Sequence, residues 1–336
     1  MPATPSLDEL VSGLHVVALP LRVPFRGITT REVALIEGSA GWGEFGPFLE
    51  YGPAESARWL AAAIEAAWQG WPAPIRDTVP VNATVPAVAP DAVPGVLARF
   101  PGCTTAKVKV AERGQRSEDD VRRVAAGRDG LAPPGRSRVD ANGGWDVATA
   151  TDTLSRLAAY GLEYAEQPCA TVEALADLRL ALARAGVDVP IAADESIRKA
   201  EDPLRVRELD AADLVVVKVA PLGGVRRALE IVAECGLPAV VSSALDTSVG
   251  IAAGVALAAA LPALDHACGL GTVGLFEGDV SSDSLRPVAG ELAVRPVTPD
   301  PDLLERWAAP ADRVAWWHER IRAVLDHRGL SDITAT

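Results

Sequence analysis

Three acidic and three basic side chains recur at one point of a repeating pattern. They fall in "AKVKV" (106–110), "VDAN" (139–142), "AEQP" (165–168), "ADES" (193–196) and "VVKVA" (216–220), each a strand-forming run ending on charged or amide groups. The six are Lys107, Lys109, Asp140, Glu166, Asp194 and Lys218, with Asn142, Gln167 and Glu195 beside them. Asp140, Glu166 and Asp194 are spaced by about one strand-plus-helix unit each, so strands laid side by side would make them neighbours. Close carboxylates raise one another's pKa and cannot all stay ionised without a counter-charge. A divalent cation meets that need, and all-oxygen ligands suit Mg²⁺, with Mn²⁺ as a substitute.

The lysines would flank this centre. Strand alternation puts Lys107 and Lys109 on one face and Val108 on the other. Amines on either side of a bound carboxylate substrate could remove the proton α to the carboxylate, and cationic groups would act on the enediolate charge as it develops. A lysine acting as base must be neutral, so its pKa has to fall from ~10.4 toward ~7–8. A like charge at Lys107 would lower that of Lys109, and Lys107 could also touch the substrate carboxylate. Taken singly, a lysine on a strand is usually an edge residue and an Asp before a helix an N-cap. The recurrence at equivalent ends of successive strands is what favours a site.

Those strands belong to a regular alternation between residues 79 and 272. Strand-like runs at 78–85, 105–111, 137–142, 162–168, 189–196, 213–220, 237–244 and 264–271 are separated by stretches with apolar residues at helical spacing. Several helical stretches open with Ser, Thr or Asp and close at Gly. Such alternation implies parallel pairing through right-handed crossovers, and eight units close most simply into a (β/α)₈-type barrel whose active site lies at the C-terminal strand ends. An open doubly wound sheet is the alternative, but no GxGxxG follows the first strand. The first 75 or so residues look instead like two or three strands and a helix, a small α+β domain. After residue 272 the pattern returns to short strands and a helix bearing Trp316 and Trp317.

The 336 residues carry a formal net charge of −13, which argues against a nucleic-acid surface. The longest apolar run, Val249 to Leu261, is shorter than the ~20 residues of a membrane span. "MPATPSLDEL" has no basic start or apolar run of a signal peptide, so a cytoplasmic location is expected. The cysteines, 103, 169, 235 and 268, are widely spaced, which predicts neither a zinc site nor a disulfide framework.

"KVK" at 107–109, "DAN" at 140–142, "EQP" at 166–168, "DES" at 194–196 and "KVAPLGG" at 218–224 together resemble the enolase superfamily in its muconate-lactonizing subgroup, over nearly the whole chain. The resemblance implies an α/β fold: a (β/α)₇β modified TIM barrel at 78–284, capped by an α+β domain at 1–77 that residues from about 285 to 336 complete. It makes Asp140, Glu166 and Asp194 the Mg²⁺ ligands, Lys109 and Lys218 the acid/base pair and Lys107 an assisting lysine. "VPFRG" at 23–27, with Arg26, and "GWGEFGPF" at 41–48 look like the capping segments that close over substrate.

"VVSSALDTSVGIAAG" and "HACGLGTVGLFEGDV" look most like the branch that dehydrates a succinyl-hydroxycyclohexadiene carboxylate to o-succinylbenzoate in menaquinone synthesis, a carbon–oxygen lyase reaction. On that resemblance Ser242, Ser243 and Gly269 to Gly271 meet the succinyl tail, and Asn142 lies against the substrate. The implied partner is a small anionic carboxylate, with neither nucleic acid nor membrane. The rivals are an N-succinylamino acid racemase or another epimerase or cycloisomerase on the same scaffold, and a silent binding barrel. A dipeptide epimerase would show Asp-x-Asp where this chain has "CGLGT".

Overall fold

The computed structural model describes residues 5–25, 27–197 and 202–328. Its N-terminal sheet is an antiparallel meander of β1 (Leu14–Phe25), β2 (Ile28–Gly38) and β3 (Gly41–Phe45). The period of two in these strands buries both faces. Val17, Leu19, Val33 and Leu35 join the barrel core, while Val16, Ala34, Ile36 and Phe45 face the helix Pro53–Ile64. Helix and sheet approach so closely that a Cβ at Gly43 would run into the Ala63 carbonyl.

The helix Ala311–Arg328 packs on this layer and returns the chain's C-terminal part to its N-terminal sheet. Trp317 is fully buried, edge-on to Phe45 with centroids 5.7 Å apart, and its indole N–H donates to Glu32 at 3.0 Å. Truncating a buried Trp costs about 3–5 kcal/mol. Trp317→Ala should therefore lose stability on that scale in urea unfolding, and an unchanged midpoint would contradict this packing.

A second sheet contains β5 (Ala83–Val85), β6 (Thr105–Lys109), β7 (Arg136–Asp140), β8 (Leu162–Glu166), β9 (Ile191–Ala193), β10 (Leu214–Val217) and β11 (Ala239–Val241), all parallel and hydrogen-bonded in that order. Ahead of it, β4 (Thr78–Pro80) pairs antiparallel with β12 (Glu291–Ala293), the one strand that forms where the sequence predicts short strands after residue 272. Outer helices include Ser117–Asp129, Val147–Leu157, Val172–Ala185, Val225–Cys235 and Ser248–Ala260. Their punctuation follows the sequence. Asp146 accepts from the Thr149 N–H at 2.7 Å, Thr171 from that of Ala174 at 3.2 Å, and Gly186 and Gly236 end their helices at φ of 69° and 68°.

The run at 264–271, expected as an eighth strand, closes the ring through isolated bridges rather than a ladder. Cys268 bridges Val81 and Gly269 bridges Ser242. The bonds are Asn82 N to Cys268 O at 2.9 Å, Cys268 N to Pro80 O at 2.7 Å and Gly269 N to Val241 O at 2.8 Å. Gly269 and Gly271 have no side chains to stack on neighbouring staves, which weakens a regular strand. The result is a modified TIM barrel beside an α+β layer. Among the described residues no helix is long and apolar enough to cross a membrane.

Candidate active site

The sheet register brings the charged residues together. Lys109 pairs with Asp140 across β6 and β7, and Asp140 with Glu166 across β7 and β8, so three C-terminal strand ends lie level. All five residues of β6 are buried. Val108 points outward, since a Cβ on Gly127 of the helix Ser117–Asp129 would sit 3.1 Å from its methyl. Lys107 and Lys109 therefore point inward, at 6% and 7% exposure. Lys218 follows β10, four staves from β6 and so halfway round a ring of eight.

Each carboxylate meets an ammonium. Lys107 donates to both Glu166 oxygens at 2.9 Å and stands 3.3 Å from Asp140. Lys109 donates to Asp140 and to the Asn142 side-chain oxygen, each at 2.5 Å, with the Phe25 ring 5.2 Å from its Nζ. Lys218 donates to Asp194. Asn142 holds a left-handed backbone at φ 45°, which Asn tolerates better than most residues, and its amide donates to Glu195 at 3.2 Å.

Burial opposes the charge of Asp140, but Lys109 and Lys107 outweigh it and hold the carboxyl below the usual range. For Lys107, burial is outweighed by Glu166 and Asp140, which raise its pKa and keep it charged. Glu166 is pushed up to about 7 by burial and by Asp140, against the pull of Lys107.

Above these groups opens a cleft. Lys107, Lys109, Asp140, Asn142 and Lys218 line it, together with Ser242, Ser243 and Gly269. Glu166 and Asp194, each 1% exposed, stand behind the lysines rather than on its wall. The Ser243 hydroxyl donates to Gly269 O at 3.1 Å and lies 2.8 Å from the Thr272 hydroxyl. Gly271 does not line the cleft. A Cβ there would meet the Phe100 ring at 3.1 Å and Asn82 O at 3.2 Å, so it faces the barrel's flank. Arg26 lies outside the described residues.

The N-terminal layer contributes wall residues that the sequence did not single out: Phe25, Ile28, Phe48 and Trp59, with Thr84, Leu245 and Thr272 from the barrel. Phe25 and Phe48 sit in the segments expected to cap the site, and Trp59 in the helix expected within the first 75 residues. That was the available signal, and it does not say which ring turns toward the barrel.

The enolase C-terminal domain-like family matches residues 96–300, and the enolase N-terminal domain-like family matches residues 16–67. A protein of Mycolicibacterium smegmatis named o-succinylbenzoate synthase is 61% identical over 320 residues, covering 95% of this chain and 97% of its own. One of Thermobifida fusca with the same name is 61% identical over 307 residues, covering 91% and 94%. The chain belongs to the o-succinylbenzoate synthase family of the enolase superfamily. It is an enzyme of the carbon–oxygen lyase class. The solved muconate lactonizing enzyme of Pseudomonas fluorescens shares the fold, with a TM-score of 0.73 at 20% identity, covering 88% of this chain and 98% of that one.

Enolase-superfamily enzymes generally use Mg²⁺. Among the described residues no three His, Cys, Asp or Glu side chains stand together as a ready cage, and each of the three carboxylates is paired with a lysine. The donor set nevertheless fits a hard divalent ion: three buried carboxylates on adjacent staves, one of them, Glu166, pushed up to about 7 by burial and by Asp140.

The family's two layers meet behind the cleft wall at Glu44 of β3. It accepts from Thr247 N at 3.1 Å, the Thr247 hydroxyl at 2.6 Å and Gly250 N at 3.1 Å, at the start of the helix Ser248–Ala260. Burial and the neighbouring Asp246 push its carboxyl up to about 8. Unfolded, it would release its proton near ~4.3. Between that pH and about 8 the folded state binds more protons, so stability falls as pH rises through the window. Glu44→Gln should flatten this decline in urea unfolding from about pH 5 to about pH 8. A variant with the wild-type slope would place the titration elsewhere.

Proposed function

We propose that the chain dehydrates 2-succinyl-6-hydroxy-2,4-cyclohexadiene-1-carboxylate to o-succinylbenzoate in menaquinone biosynthesis, as a Mg²⁺-dependent hydro-lyase. What supports this most is that Lys109 and Lys218 line one cleft from staves half a ring apart, in a chain 61% identical to a synthase of that name. The cap, assigned here to residues 1–77 with about 285–336, would cover the site that the barrel at 78–284 carries.

Asp140, Glu166 and Asp194 would hold Mg²⁺, or Mn²⁺ in its place, and the bound ion supplies fixed positive charge beside the substrate carboxylate. Lys109 takes the proton α to that carboxylate, and the electron pair moves into the carboxylate as an enediolate. The pair then returns toward the ring and expels the hydroxyl on the adjacent carbon. Protonated Lys109, on the same face, delivers its proton to that oxygen, so the C–O bond breaks, water leaves and the ring becomes aromatic. Lys218 stays charged across the ring and stabilises the enediolate. Lys107, held charged beside the same Asp140, would push Lys109 toward its neutral form by like-charge repulsion once Asp140 turns from Lys109 to the cation. Ser242, Ser243 and Gly269 meet the succinyl tail, and Asn142 orients Lys109. We assign the activity to the cytoplasm, with a small anionic carboxylate as its partner.

Purified protein with Mg²⁺, offered the cyclohexadiene carboxylate and a panel of N-succinylamino acids, should form o-succinylbenzoate. Racemisation of the amino acids with the cyclohexadiene left intact would overturn the assignment. Lys218→Arg keeps a positive charge but is too basic to take a proton. It should therefore retain part of the dehydration and none of any racemisation. Loss of both in parallel would point to a two-base site.

A further inference from the structure

Gln167 is buried next to Glu166 in a backbone conformation that side-chain-bearing residues rarely adopt, φ 38°. Its amide makes four hydrogen bonds, which uses both donors and both acceptor sites of the group. The NH₂ donates to Cys169 O at 2.8 Å and to the Ser196 hydroxyl at 2.7 Å. The oxygen accepts from Asp194 N at 2.9 Å and Ser196 N at 3.2 Å. Its main chain adds a bond from its N–H to Ala192 O at 2.8 Å and accepts from Gly143 N at 2.7 Å. One residue thus ties together the ends of β7, β8 and β9.

What these ties fix is Asp194. The last sheet-paired residues of β9 are Ala192 and Ala193, so Asp194 lies just beyond the ladder, at the start of the turn Glu195–Ile197. Its N–H is held by the Gln167 side chain instead of by a neighbouring strand. The left-handed turn at Gln167 folds the side chain back over β9 and so permits that bond.

We infer that Gln167 is a positioning residue: its amide sets the main chain of Asp194, and through it the aim of the Asp194 carboxylate toward Lys218 and the cation that the carboxylates would hold. The second half of this inference rests on the cation assignment under Proposed function. Gln167→Met keeps the length and removes all four amide bonds. Gln167→Asn keeps the amide but is one methylene too short to reach Cys169 and Asp194 together, and serves if the first variant does not fold.

In crystals of either variant the Asp194 main chain and carboxylate should be displaced. Mn²⁺ affinity, measured by electron paramagnetic resonance without substrate, should fall about 10- to 100-fold. Asp194 unmoved from its contact with Lys218 in the variant overturns the positioning role. A displaced Asp194 in a protein whose wild type binds no Mn²⁺ in this cleft upholds that role and overturns the cation assignment instead.

Discussion

The Lys109→Ala protein is expected to fold and to lose dehydration by about 10⁴-fold, the upper end of what one proton-transferring group contributes. The upper end applies because, on the proposed mechanism, the same amine would take the α proton and return it to the departing hydroxyl. Truncating one partner of a buried ion pair ordinarily strands the other. Here Asp140 keeps Lys107 at 3.3 Å, so the carboxylate left behind is not orphaned. Circular dichroism and a thermal midpoint close to wild type, with kcat on the cyclohexadiene carboxylate reduced on this scale, are the paired results expected. Retained turnover would remove Lys109 from the chemistry. Loss of turnover together with loss of fold would show only that the pair with Asp140 supports the barrel.

Removal of divalent cations should have an effect of comparable size. A bound ion stabilises developing charge by several kcal/mol, so chelation should lower kcat on the order of 10³-fold or more, and Mg²⁺ or Mn²⁺ should restore it. Glu166→Gln should show the same loss without full restoration at any Mg²⁺ concentration, because a neutral amide replaces one of the three carboxylates. Activity indifferent to chelator would mean that the lysines alone neutralise the acidic cluster, as their contacts allow: Lys107 with Glu166, Lys109 with Asp140 and Lys218 with Asp194.

The strand ends were legible in the sequence because two rules act there locally. Alternation along "AKVKV" sends Val108 one way and both lysines the other, and parallel pairing levels the ends of adjacent staves, so Lys109, Asp140 and Glu166 had to meet. Where contacts cross between layers, no local rule exists. The Phe48 and Trp59 side chains that wall the cleft belong to a strand-end segment and a helix whose docking on the barrel depends on the whole interface. The closing stave also departed from expectation. The strand-like run containing Gly269 and Gly271 pairs only at Cys268 and Gly269, and Gly271 turns to Phe100. Gln167 was visible as a neighbour of Glu166. Its role as a clamp was not, because that depends on a left-handed turn that proximity in sequence does not reveal.

On the proposed function, three acidic stave ends hold one cation with an amine on either side. A crystal of the protein grown with Mg²⁺ tests it most directly. The expected result is a single ion bound by Asp140, Glu166 and Asp194, with the Lys109 and Lys218 amines facing each other across the cleft. Carboxylates still paired to their lysines, with any ion bound elsewhere, would contradict it.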